Sequence, residues 1–157
     1  MCDFELPRDE DGEVIPHDHP ELVDGAHIIR RISDDYVVPD HNSGGHRLSS
    51  AVYKHDPRRG HLSVDSTPCI VAKGIDPGEY VTTPQWPGAL TISIENFRSI
   101  DSVNEADDRW KIGMVPVTGN DCHAGVWGKI TQGQSNSLQR LSDWLVEIPG
   151  VTKLMPD

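Results

Sequence analysis

Glycine and proline punctuate the middle of this chain so densely that only short elements fit between Pro68 and Gly88. There are 14 Gly and 12 Pro in 157 residues, and Pro68, Gly74, Pro77, Gly78, Pro84, Pro87 and Gly88 crowd the middle. Proline fixes φ and lacks an amide donor, and glycine loses the most freedom on ordering, so both punctuate helices and strands. The β-branched run 27–32, the extended stretch 36–38 before Pro39, and the segments 47–53 and 61–64 read as strands. Residues 89–94 alternate apolar and hydroxyl side chains with period two, the pattern of a half-buried strand. Segments 110–117 and 124–130 predict two more, joined by a turn at 118–121. Residues 69–72 fit a helical turn or a strand, and the acidic 101–109 fits a loop or one turn of helix.

A longer helix is expected only near the end. Leu138, Leu141, Leu145 and Ile148 recur there at helical spacing beside Trp144, with Ser135 or Ser137 as cap and Pro149-Gly150 as stop. Many strands without βαβ alternation predict an α+β protein: a mixed or mainly antiparallel sheet with a C-terminal amphipathic helix packed on it.

Charge divides the chain. Of the net −11, residues 1–25 hold nine acids and one base, and the rest of the chain 16 acids and 13 bases. With Pro7, Pro16 and Pro20 and no apolar period, residues 1–25 are expected to form an acidic flexible arm, and residues 26–157 a single domain. Sequence-independent nucleic-acid binding needs clustered Lys and Arg, so the acidity argues against that partner, although Arg30, Arg31, Arg47, Arg58 and Arg59 could still form a basic patch. No run approaches the roughly 18 apolar residues of a membrane span, and the start of the chain does not read as a signal peptide. Cys2, Cys69 and Cys122 are odd in number and widely spaced, which predicts free thiols and a cytoplasmic protein.

Eight histidines raise the question of metal binding or acid-base catalysis. The pair His17 and His19 falls in the arm and His41 and His46 flank a glycine turn, so neither has the spacing of a metal motif, and no metal ligand is assigned. His61, in a strand, and His123, at a strand start beside the turn Gly119-Asn120-Asp121, are the candidate catalytic imidazoles. The neighbouring Cys122 would point to the opposite face of a strand and cannot pair with His123. Small residues after His123 are otherwise explained by a closely packed helix. Arg31, Arg47, Ser49 and Ser50 are the candidate anion binders, because guanidinium and hydroxyl groups donate to phosphate or carboxylate; a surface ion-pair network with Asp34, Asp35 and Asp56 explains the arginines equally well. Trp86, between Pro84 and Pro87, is the candidate partner-binding anchor or else a staple onto the core.

The series Arg30-Arg31-Ile32, Arg47 to Tyr53, His61 to Val64 and His123 to Lys129 resembles a pattern in small uncharacterised bacterial proteins, which carries no function with it. Arg31 or His27 on a first strand with Ser49 or Ser50 on a second is similar, more weakly, to the ADP-ribosyltransferase-like folds. That resemblance implies NAD binding with an acid further on, Glu95 or Glu105, neither of which lies in a Glu-x-Glu motif. Two functions follow. One is an accessory protein without cofactor that docks on a larger protein partner, through the acidic arm and Trp86. The alternative is a nucleotide- or NAD-utilising or phosphoester-cleaving enzyme, with NAD or a divalent metal as possible cofactor, in which Arg31, Ser50 and a histidine converge.

Overall fold

In the computed structural model, residues 4–101 and 109–155 are described. The first strand, β1 (His27–Ile32), divides the molecule because its two faces enter different cores. Ile28 and Ile32 point into the larger core, and Ile29 points into a smaller one with Ile70, Val81, Ala89 and Cys122. A strand buried on both faces has no need of strict apolar alternation.

After a 3-10 turn at Asp34–Tyr36 come β2 (Val37–Pro39), β3 (His46–Leu48) and a second 3-10 turn, Pro57–Arg59. Then follow β4 (Leu62–Ser66), α1 (Thr67–Ala72), α2 (Pro77–Val81), β5 (Gly88–Ser93) and α3 (Ile94–Ser99). The chain ends with β6 (Lys111–Met114), β7 (His123–Trp127), α4 (Gln132–Leu141), β8 (Asp143–Val146) and β9 (Val151–Thr152). A six-stranded sheet has the order β6-β7-β4-β1-β5-β8 and is antiparallel at every pairing. A three-stranded sheet, β2-β3-β9, has β9 parallel to β3. The architecture is α+β as expected, with α4 packed through Leu138 into the larger core. Each helix starts where a side chain accepts an orphan amide: Ser66 from Cys69, Asp76 from Glu79, Ser93 from Asn96, and Thr131 from Gln134 in a capping box.

Four expectations need correction. The last helix starts from Thr131, not Ser135 or Ser137, and stops at Leu141; Trp144, Leu145 and Val146 form β8 against β5. Ser142 turns the chain there, its hydroxyl donating to the Leu138 carbonyl (2.7 Å) and bonding the Tyr53 hydroxyl (2.7 Å). The strand expected over 47–53 ends at Leu48, and Ser49 to Lys54 form turns. Cys69 and Cys122 are not free thiols: they form a disulfide with Cα atoms 5.4 Å apart, packed in the smaller core.

Finally, the expected flexible arm is docked from Phe4 onward. Leu22, His17 and His19 are buried, and the His19 amide donates to the Ile112 carbonyl (3.0 Å). Asp18 accepts from the Ile112 amide and pairs with Arg98, and the Met114 amide donates to His17 Nε2 (3.3 Å). Acidic composition predicts solvation, but this segment finds a cation and covers the otherwise open edge of β6. The segment 102–108, expected as loop or helical turn, lies outside the described residues. None of the helices among the described residues is long and apolar enough to cross a membrane.

Candidate functional site

β1 and β4 are in register only at Ile28 with Ser66 and Ile29 with Asp65. Beyond these pairs the strands part, and Arg30 spans the gap by donating to the Ser63 carbonyl (2.9 Å). It also donates to the Val52 carbonyl (2.9 Å) and the Tyr36 hydroxyl (2.7 Å). Burial pulls the Arg30 pKa below its ordinary value, while the neighbouring Tyr36 and Tyr53 oppose the shift.

A groove opens over this split. One part, about 330 Å³, is lined by Arg31, Tyr36, Asp65, Trp86, Asn120 and His123. The other, about 580 Å³, is lined by Tyr36, Lys54, His55, Arg59, His61 and Ser63. Tyr36, Arg30 and Ser63 border both.

The floor depends on strand register. Asp65 faces His123 across β4 and β7, and Gly125 faces Gly113 across β7 and β6. The His61 ring lies on Gly125: a Cβ there would come within 2.7 Å of two ring atoms. His17 occupies the corresponding place over Gly113, at 2.5 Å from such a Cβ. Trp127 stands between them, its ring centroid 5.3 Å from His17 and 5.6 Å from His61. The centroids of His61 and His123 are 5.6 Å apart. Burial first, then the nearby His123 and His55 imidazoles, lower the His61 pKa below 6.5. A hydrogen bond of 2.9 Å between His123 Nδ1 and the Val115 carbonyl assigns the proton to Nδ1 in the neutral ring, leaving Nε2 as acceptor.

Arg31 is already engaged. Its guanidinium donates to both Asp65 carboxylate oxygens, at 2.7 and 3.2 Å. Asn120 donates to Asp65 (2.7 Å) and accepts from the Tyr80 hydroxyl (2.6 Å) and the Cys122 amide (3.1 Å). A buried carboxylate with this many donors holds the groove wall in one geometry.

The structure therefore joins some sequence candidates and separates others. His61, His123, Arg31 and Trp86 border the groove, whereas Arg47 and Ser50 line a different cleft beside α4. Ser49 belongs to neither; its hydroxyl accepts the Ala51 amide (3.1 Å) and its carbonyl the Gln139 amide (3.1 Å). The constellation of Arg31, Ser50 and a histidine is not assembled. Trp86 is half-buried against the groove rather than a projecting anchor. Sequence reasoning missed Asp65, Asn120, Tyr80 and Trp127, and the small residues after His123 receive an imidazole, not a helix. Among the described residues, no group of three or more His, Cys, Asp and Glu is placed to hold a metal ion. Comparison with protein-family models, curated proteins and solved structures returns no match.

Proposed function

We propose that the groove binds a phosphate ester of nucleotide type and that His61 and His123 act on it as an acid-base pair. The observation that carries this reading is the apposition of the two imidazoles, with centroids 5.6 Å apart, one from the residue before β4 seated on Gly125 and the other from the start of β7. His61, with its lowered pKa, is neutral near pH 7 and takes the proton of the attacking hydroxyl or water. His123, when protonated, gives a proton to the leaving oxygen as the P–O bond breaks. Lys54 and Arg59 supply positive charge for the phosphate, and Trp86 and Tyr36 supply ring faces for a planar base. The NAD reading has less support, because Arg31 is bonded to Asp65, Ser49 and Ser50 lie elsewhere, and Glu95 is exposed on α3.

The test is turnover of bis(p-nitrophenyl) phosphate and of a ribodinucleotide by the purified chain. Replacing either histidine with alanine should lower the rate by about 10²- to 10⁴-fold. Unchanged turnover in His61→Ala, or none by the parent protein on either substrate, refutes the reading.

A second reading, docking on a protein partner, is favoured by Phe4, Ile15 and Val23, large apolar side chains exposed on the acidic segment. Serine at Ile15 and Val23 should weaken a partner complex without lowering the melting temperature, whereas Phe4 also packs on His17 and His19 and is left unchanged in the test. Deletion of residues 1–25 is the poorer test, since it also removes the buried Leu22 and uncovers the edge of β6. The Cys69–Cys122 bond supports an oxidising compartment over a cytoplasmic one.

A further inference from the structure

The cleft that receives Arg47 and Ser50 lies where β3 and β9 approach the C-terminal half of α4, away from the histidine groove. It encloses about 320 Å³, and Arg47, Ser50, Asn136, Arg140 and Lys153 line it. All five are half-buried. The walls are tied by Gln139, which is fully buried: its side-chain amide donates to the Ser49 carbonyl (3.1 Å) and accepts from the Leu154 amide (2.8 Å).

Three cations, Arg47, Arg140 and Lys153, meet in this cleft. None of Arg47, Arg140 and Lys153 forms an ion pair within 4.0 Å among the described residues. Arg47 donates to the Leu48 carbonyl (3.1 Å) and Lys153 to the Leu154 carbonyl (3.0 Å), which orients both without neutralising either. Asp40 sits on the rim, its carboxylate bonded to the Asn42 amide and the Ser43 hydroxyl, which with a smaller contribution from the Arg47 charge lower its pKa, and it forms no ion pair within 4.0 Å among the described residues. The Asn136 side-chain oxygen is buried and has no hydrogen-bond partner. A buried polar atom without a partner is costly, and a cleft of converging unpaired cations draws anions.

We infer that this cleft is a binding site for a phosphate group, free or carried by a small phosphomonoester. Arg47, Arg140 and Lys153 surround the phosphate oxygens, and the Ser50 hydroxyl donates to one of them. The volume lies at the lower end of small-molecule pockets, which suits a single phosphorylated small molecule better than a polymer. Burial also lowers the Lys153 pKa, with Asp143 opposing, as for an ammonium that gains from an anion beside it.

The inference is independent of catalysis in the groove. The experiment titrates the full chain with inorganic phosphate, with glycerol 3-phosphate and with acetate, following backbone amide shifts by NMR. Phosphate should move Ser50, Asn136, Gln139 and Thr152, and acetate should not. A tighter response to glycerol 3-phosphate identifies a phosphomonoester as the ligand, and an equal response identifies free phosphate. Arg140→Gln and, separately, Lys153→Met should each weaken this response by about tenfold while any response at His61 and His123 persists. If phosphate at 10 mM moves only groove residues, or if folded Arg140→Gln and Lys153→Met bind as the parent does, the site does not exist. Should one variant fail to fold, the parent shift map and the other variant still decide. His61→Ala separates the two proposals, since it should lower turnover as above and leave this site's response unchanged.

Discussion

Replacing Gly125 with alanine puts a methyl group where the His61 ring now lies. The added Cβ would be 2.7 Å from His61 Cγ and Cδ2 and 3.0 Å from its Cβ, so the ring must retreat by about 0.7 Å to reach an ordinary contact of 3.4 Å. Both glycine neighbours in the register are buried, so the backbone has little room to yield and the side chain moves outward. Overpacking of this kind costs about 1–3 kcal/mol. Outward movement also restores water to an imidazole whose pKa is lowered chiefly by burial. Histidine titration by NMR should therefore find His61 below 6.5 in the parent and closer to 6.5 in Gly125→Ala. Urea denaturation should show the loss of stability. If the pair is catalytic, a displacement approaching 1 Å should cut turnover by up to about 10²-fold. An unchanged His61 titration together with unchanged stability would show that the ring does not sit on Gly125, and the account of the site would fall.

Three further outcomes follow from the same contacts. The Cys69–Cys122 bond closes a loop across a sequence separation of 53. On the chain-entropy estimate, the Cys69→Ala/Cys122→Ala variant should lose about 4 kcal/mol, or roughly 8–16 °C in melting temperature; equal melting, or three titratable thiols in the native protein, contradicts the bond. Asp65→Ala leaves the Arg31 guanidinium, 21% exposed, without its carboxylate, and should cost about 3–5 kcal/mol in chemical denaturation; a loss below about 1 kcal/mol would mean the pair is solvated. Burial lowers the pKa of both His19 and His61, so their folded values lie below the unfolded 6.5. The unfolded chain then takes up protons that the folded chain resists, so stability is full above pH 6.5 and declines as pH falls toward the folded values. His19→Gln should flatten that decline, and a parent stability that rises on acidification from pH 7 to 5 reverses the sign.

How far the sequence could be read depended on whether a signal was local. The strand β5 was legible because Ala89 to Ser93 alternates, and β1 because its residues are β-branched; the turn residues between strands were legible from Gly, Pro, Asn and Asp. The end of α4 was not. Leu141, Leu145 and Ile148 keep helical spacing across a turn that depends on Ser142 meeting Tyr53, 89 residues away. The docked segment 4–25 was hidden in the same way, since Asp18 is matched by Arg98 at a separation of 80. Local composition describes a residue's preferences, and these positions are decided by partners that composition does not name.

The candidate site repeats this division. His61 and His123 are recognisable singly as imidazoles, and Arg31 as a cation, but the first two meet because His61, just before β4, is carried over Gly125 of β7 by the pairing of Leu62 with Val126, and the third is bound by an acid 34 residues on. Gly113 and Gly125 connect fold to chemistry. Facing each other on adjacent strands, they remove two Cβ atoms from one surface of the sheet and leave a flat place for His17 and His61. Close seating on backbone desolvates His61, desolvation lowers its pKa, and a neutral ring beside His123 can accept a proton. A glycine in a strand usually weakens it. At Gly125 that loss goes with the seating of a groove imidazole whose pKa burial lowers, so an alanine that suits the strand better should also disable the pair.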